Sequence, residues 1–189
     1  MSVTMLLLVA GCATVPPAPA PAPQDWAARR EQLQSLQDFS LSGRLAVAAG
    51  NQGTSGGLSW QQRGKDVSAQ ISGPLGAAAR IRYSEGELQL TASDGTDLQG
   101  DAARQRLAAM LGFEVPFDSL HYWLLGVSDP ATPATETLDE LQRLAQLQQG
   151  GWTVDYTSYQ AQGARWLPQR LTVQRADLKL KLIISAWQL

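Results

Sequence analysis

Three constellations in this sequence of 189 residues carry side chains that can catalyse or coordinate. His121, the sole histidine, stands three residues after Asp118, a spacing that puts both on one helix face. A hydrolase built on them also needs an exposed nucleophile in a strained turn, and no Gly-x-Ser-x-Gly is present. His121 therefore reads as a partly exposed histidine on a helix surface. Gly50–Gly57 is glycine-rich but lacks the Gly-Lys-Ser/Thr ending of a phosphate loop, and reads as a flexible hairpin connection. Asp94, Asp97, Asp101 and Glu114 match no metal-ligand spacing and read as solvated carboxylates. Cys12 is the only thiol, which leaves no intramolecular disulfide, zinc-thiolate site or internal nucleophilic cysteine.

Cys12 has a different chemistry open to it. It ends the run Met5-Leu6-Leu7-Leu8-Val9-Ala10-Gly11, which is far short of the roughly 20 residues a membrane-spanning helix needs. A short apolar run closing on small residues has the form of a signal sequence, although Met1–Thr4 lack the usual positive charge. Val9-Ala10-Gly11-Cys12 resembles the bacterial lipobox, so residues 1–11 are expected to be cleaved and Cys12 to carry a covalent lipid anchor on sulfur and nitrogen. Several acyl chains at ~0.8 kcal/mol per buried methylene hold a protein stably on a membrane, where one chain does so only marginally. Residues 12–24 follow as the lipidated cysteine and a Pro/Ala-rich tether, extended because repeated proline fixes φ and removes donors.

Residues 25–189 have the size of one domain. A net charge of −2 with no basic cluster along the chain argues against nucleic acid. Asp25–Asp38 is expected to be a helix capped by Asp25, packing Trp26, Leu33 and Leu36. The period then becomes two, with Phe39, Leu41, Gly43, Leu45 and Val47 on one face. Alternation recurs at Leu58/Trp60, Val67/Ala69/Ile71, Ala79/Ile81/Tyr83, Leu88/Leu90/Ala92, Trp152/Val154/Tyr156, Leu171/Val173, and from Leu178 through Leu180, Leu182 and Ile184 to Ala186. Turn signals at Arg63-Gly64-Lys65, Glu85-Gly86, Asp94-Gly95 and Gly150-Gly151 make neighbours antiparallel hairpins. The fold class is mainly β with helices, a large curved antiparallel sheet or barrel. Charged second faces, with Arg44, Arg80, Arg82, Lys179 and Lys181, favour a soluble sheet over a membrane barrel.

Two amphipathic helices interrupt the strands. One runs from Asp101, its expected cap, to Leu111 with Leu107 and Met110 on its stripe; the other runs from Phe117 to Leu125 and is ended by Gly126. They are placed to cover one side of the sheet or to complete its core. By propensity Thr137–Gln149 is a third helix, although Gly150-Gly151 behind it reads as a hairpin turn. Ser72-Gly73-Pro74-Leu75-Gly76 sets a leucine on a turn between two strands, where a lone surface apolar side chain is ordinary but, beside a membrane, is placed to touch lipid.

Gly43-Arg44-Leu45-Ala46-Val47, Trp60-Gln61-Gln62, Pro74-Leu75-Gly76, Ser119-Leu120 with Trp123-Leu124-Leu125-Gly126, Gly151-Trp152-Thr153-Val154-Asp155-Tyr156, and Leu178-Lys179-Leu180-Lys181-Leu182 with Trp187 together resemble the LolB family of outer-membrane lipoproteins from about Trp26 to Leu189. The resemblance implies an unclosed antiparallel β-barrel with a helical lid over a hydrophobic cavity for acyl chains, and strand before Gly150. It implies a monomer on the periplasmic face of the outer membrane that takes lipoprotein cargo from a LolA-like periplasmic carrier, with acyl chains as the ligand and no cofactor or metal. Pro74, Leu75 and Gly76 match the family's protruding loop, which inserts cargo into membrane lipid; Gly73 departs from the family's asparagine. Trp60, Leu88, Leu90, Met110 and Trp123 are the candidates for the cavity lining. The rival readings are a lipid-binding or structural envelope lipoprotein that transfers nothing, and a lipid hydrolase dependent on His121.

Overall fold

The computed structural model describes residues 25–49, 52–73 and 79–189. The signal and tether segments, Cys12 and the Pro74-Leu75-Gly76 loop lie outside them. Helix α1 (Trp26–Gln34) starts at Asp25, whose carboxylate accepts from the Ala27 N–H at 3.1 Å. It buries Leu33 and packs the half-buried Trp26 on the core; it stops at Gln34, short of the expected Asp38, which instead opens the first strand, and half-buried Leu36 packs from the link between them. Six strands follow: β1 (Asp38–Ala49), β2 (Gln52–Arg63), β3 (Asp66–Ser72), β4 (Ala79–Ser84), β5 (Glu87–Ala92) and the short β6 (Asp97–Gln99). Gly53–Gly57, expected as a flexible connection, is instead part of β2 and pairs with β1 through Ala48↔Gly53 to Arg44↔Gly57.

Helices α2 (Gly100–Leu111) and α3 (Phe117–Leu125) come next, then β7 (Ala134–Leu138), β8 (Leu144–Gln149), β9 (Trp152–Gln162), β10 (Arg165–Arg175) and β11 (Leu178–Gln188). Asp101 falls in the first turn of α2, where its charge favours the helix dipole, while Gln99 occupies the cap position without a side-chain bond. Gly112 and Gly126 end the two helices in the left-handed conformation, at φ 84° and 78°.

Thr137–Gln149 is not a helix. The Asp139 carboxylate accepts from the N–H groups of Leu141 and Arg143, both at 2.9 Å, and so closes a turn between β7 and β8. Leu144 and Leu147 then face the core, while Leu141, which a helical stripe would have buried, is 45% exposed. Strand pairing across Gly150-Gly151, both at positive φ, outweighs local helix propensity.

The eleven strands form one antiparallel sheet in the order β6-β5-β4-β3-β2-β1-β11-β10-β9-β8-β7. Two meanders are thus joined by the pairing of β1 with β11, and the edges β6 and β7 are not paired to each other, so the barrel is unclosed. The inward face carries the core foreseen from the alternation, from Phe39, Leu41, Leu45 and Val47 round to Leu182 and Ile184. At the end of β11 the phase changes. Ser42 pairs with Ala186 and Gly43 with Ile184, so Ser185 is an extra residue; beyond it Trp187 points inward and Ala186 is exposed.

A candidate acyl-chain cavity

The inward face of the sheet and the α2–α3 lid enclose an apolar cavity of about 70 Å³. Its sheet wall comes from alternate positions of six strands, among them Leu45, Trp60, Ile71, Ile81, Val173 and Leu182. The lid supplies Leu111 from the end of α2, Phe117, Leu120 and Leu124 from α3, and Phe113 and Val115 from the link between the helices. Every side chain in this lining is a hydrocarbon but for the indole N–H of Trp60, which is turned away and donates to Gln62 Oε1 at 3.2 Å. Such a site recognises hydrocarbon and offers nothing to a charged group.

The lid helices are held differently. Gln149, 3% exposed, uses its whole amide on α3 and the segment after it. Its Oε1 accepts from Trp123 Nε1 at 2.8 Å and from the Asp129 N–H at 3.0 Å; its Nε2 donates to the carbonyls of Asp129 at 2.8 Å and Thr132 at 2.6 Å. Tyr156 donates its hydroxyl to the Trp123 carbonyl at 2.9 Å, and burial pushes that phenol far above its ordinary pKa, keeping it a donor. At the N-terminal end of α3, Tyr83 stacks on Phe117 at 4.8 Å and gives its hydroxyl to Asp118 at 3.2 Å. Burial, with Asp118 beside it, raises the Tyr83 pKa as well. The link Gly112–Pro116, by contrast, touches the sheet through half-buried Phe113 and Val115, with Phe113 edge-on to Trp152 at 5.4 Å.

Of the residues expected in the lining, Trp60 is in the cavity wall, stacked toward Phe117 at 6.2 Å. Leu88 and Leu90 are fully buried under α2, with Leu88 beside Leu107 at a separate small gap. Met110 is half-buried against the core, and Trp123 is buried in the Gln149 network. Phe113 and Val115 were not singled out by sequence, although they stand between the Gly112 and Pro116 breakers as an apolar link, and Phe117 and Leu120 were read as residues of the second helix and not as lining. Gln149 was missed because a helical reading of its segment hides that it sits at an inward strand position.

His121 is not on the surface. It is 7% exposed, with its ring edge-on to Phe39 at 5.5 Å and against Tyr122 at 4.7 Å. The ring bonds the backbone of Leu36, Nε2 is buried without a partner, and burial lowers the pKa against the smaller raising influence of that bond and of Asp129. Asp118 is engaged by Tyr83 instead, so the two residues do not form an acid–base pair. Asp94, Asp97, Asp101 and Glu114 are all exposed; Asp94 accepts from the Thr96 N–H and Glu114 lies 4.0 Å from Arg104. Among the described residues no group of three or more His, Cys, Asp or Glu side chains is arranged to hold a metal ion.

Residues 37–187 match the family model for the outer membrane lipoprotein LolB. The chain belongs to the LolB family. It is 35% identical over 190 residues to the outer-membrane lipoprotein LolB of Pseudomonas putida strain GB-1, covering 98% of this chain and 93% of that one. The LolB of Pseudomonas paraeruginosa strain PA7 is 35% identical over 166 residues, covering 87% and 81%. Among solved structures, a LolA superfamily protein from Nitrosomonas europaea superposes with a TM-score of 0.57 at 10% identity, covering 87% of this chain and 91% of that one. A putative outer membrane lipoprotein-sorting protein domain from Vibrio parahaemolyticus gives 0.54 at 8%, covering 86% and 90%. These two are similar to this chain in fold. As a LolB-family member the protein is an outer-membrane lipoprotein, and no helix among its described residues is long and apolar enough to cross a membrane.

Proposed function

We propose that this LolB-family protein accepts acylated lipoproteins from a LolA-like periplasmic carrier and releases them into the outer membrane. The observation that carries the reading is the hydrocarbon-lined cavity between sheet and lid, which matches the chemistry of an acyl chain. Cargo leaving one apolar site for another gives up and regains ~0.8 kcal/mol per methylene, so the large terms nearly cancel. A residual difference of about 1.4 kcal/mol then biases the transfer tenfold without nucleotide hydrolysis. The acyl chains are the ligand, and the only covalent group in the scheme is the lipid on Cys12.

The Pro74-Leu75-Gly76 loop is assigned the delivery step. Its position in the sequence supports this, because it lies between β3 and β4, whose Ile71 and Ile81 line the cavity. The test mixes the Cys12→Ala chain, as a monomer, with a carrier loaded with triacylated lipoprotein, follows the cargo by pull-down, and then adds liposomes. The cargo is expected to move to this protein and onward to the liposomes, and Leu75→Glu is expected to stop only the second movement. Cargo that stays on the carrier sinks the proposal; cargo taken up but never released, even by the parent, makes the protein a lipid-binding envelope component.

A further inference from the structure

The outer face of the sheet has a charge distribution opposite to that of the chain. Seventeen acidic and fifteen basic residues give the sequence a net charge of −2. Yet Arg44 on β1, Arg80 and Arg82 on β4, Arg170 on β10, and Lys179 and Lys181 on β11 are all exposed on one side of the sheet. The strand register shows how they group. Arg44, Ile183 and Arg170 form one row across β1, β11 and β10, and the next rows carry Lys181 and Lys179. Ser42, Ser59, Gln70 and Arg80 form a row across β1 to β4, and Ser40, Gln61, Ser68 and Arg82 the one below it.

Across β1–β4, β10 and β11 no acidic residue occupies these rows; Asp155 on β9 continues the Lys181 row through Thr172, and Asp97 on β6 ends the Arg80 row beyond Thr91. Asp38, Asp66 and Asp177 border them, and Asp66 and Asp155 are engaged by Ser84 and by Gln146 and Gln174. Among the described residues no ion pair joins any of the six cations; the pairs present involve Arg30, Arg104 and Arg143. With strands about 4.8 Å apart, Arg44 and Arg170 stand roughly 10 Å from each other, near the screening length at physiological salt. Their repulsion is uncompensated within the molecule, where most exposed sheet faces intersperse the two signs.

We infer that this outer face is a docking surface for anionic phospholipid headgroups of the membrane that carries the protein. The small side chains of Ser42, Gly57 and Ser59 lie between the cations of β10 and β11 on one side and Arg80 and Arg82 of β4 on the other. Ile183, 44% exposed, sits between Arg44 and Arg170, an apolar contact ringed by cations that suits the headgroup boundary. A lipoprotein is already confined beside its membrane, so weak contacts act at high effective concentration. Each basic residue near an anionic surface adds roughly a factor of five to binding. The site is distinct from the cavity, which is lined by the opposite, inward face of the sheet.

The test uses the full chain with Cys12→Ala and measures co-sedimentation with vesicles of phosphatidylethanolamine and phosphatidylglycerol, and with vesicles of phosphatidylcholine alone. Arg44→Gln with Arg170→Gln and Lys181→Gln is compared with an equal charge change off this face, Lys65→Gln with Arg106→Gln and Arg175→Gln. The expected result is a preference for the anionic vesicles that weakens with salt and falls about tenfold or more in the first triple variant but not the second. Equal loss in both variants, or none in the first, overturns the inference. Undiminished vesicle binding with lost binding of the carrier would overturn it too, and make the face a protein-docking surface. Cargo uptake from the carrier, measured without vesicles, tests the proposed function separately and does not enter this outcome.

Discussion

At Gly43 the backbones of β1 and β11 approach so closely that an added Cβ would lie 2.1 Å from the Ile183 carbonyl oxygen. The extra residue Ser185 bends β11 at this point, which fixes the approach. Gly43→Ala is expected to lower unfolding stability by about 2–3 kcal/mol, because backbone rather than a flexible side chain must give way. A urea titration reads it as a lower midpoint. The residue was visible in the sequence as one position of an apolar face, but its reason, a contact with the far end of the chain, was not. His121 shows the same divide. Its spacing from Asp118 was plain, while its burial depends on Leu36 and Phe39, which reach it only in the fold. Its folded pKa lies below the unfolded value of about 6.5, so the unfolded chain binds the extra proton. The stabilisation by the neutral ring is therefore full above that pH and lost as the pH falls through about 6.5 and below. Stability measured from pH 7.5 to 5 should drop for the parent and drop less for His121→Gln; equal slopes would remove this role.

Most strands were legible because their inward positions keep a period of two, although the extra residue Ser185 breaks the phase in β11 and glycines hid the first half of β2; the α3 boundaries were legible because Gly126 ends that helix in a conformation glycine adopts freely. The β7–β8 hairpin was not. Its leucines at three-residue spacing satisfy a helix as well as they satisfy two short strands, and only pairing with β9 and the Asp139 turn decide between them. The same ambiguity concealed Gln149, whose amide holds α3 to the sheet. Gln149→Leu strips partners from Trp123 Nε1, the Asp129 N–H and two carbonyls in a dry setting, each costing about 1–3 kcal/mol if left unsatisfied. A loss of about 3 kcal/mol or more in chemical unfolding is expected, with faster amide hydrogen exchange in α3 than in β1. A variant as stable as the parent would show that water replaces the amide.

On the scale of the whole molecule, a cavity of about 70 Å³ is far smaller than the roughly 300–1,000 Å³ of pockets that enclose drug-sized ligands. An acyl chain enters only if the wall moves, and the Phe113–Val115 link, held by apolar contacts, is the part that yields at least cost. Trp60 lies in this wall, whereas Trp26 bonds Glu136 on the side of α1. A lipopeptide with brominated acyl chains should therefore quench the tryptophan emission of the parent. Most of that quenching should vanish in Trp60→Phe and persist in Trp26→Phe; the reverse pattern would put the chains elsewhere. The separation of cavity wall from core was the part least readable in the sequence, since both are built from the same alternating leucines and aromatics.

The pairing of β1 with β11 carries one more consequence, for how the protein is made. The first strand waits in the centre of the sheet for β11, the last of its strands in chain order, so the contact with the greatest sequence separation must form before the two meanders become one structure. Until then each half presents a bare central edge and an apolar face, a state prone to aggregate during export. A molecule whose task concerns other proteins' hydrocarbon thus passes through a stage in which it must itself be shielded, and that interval ends only when β11 has arrived.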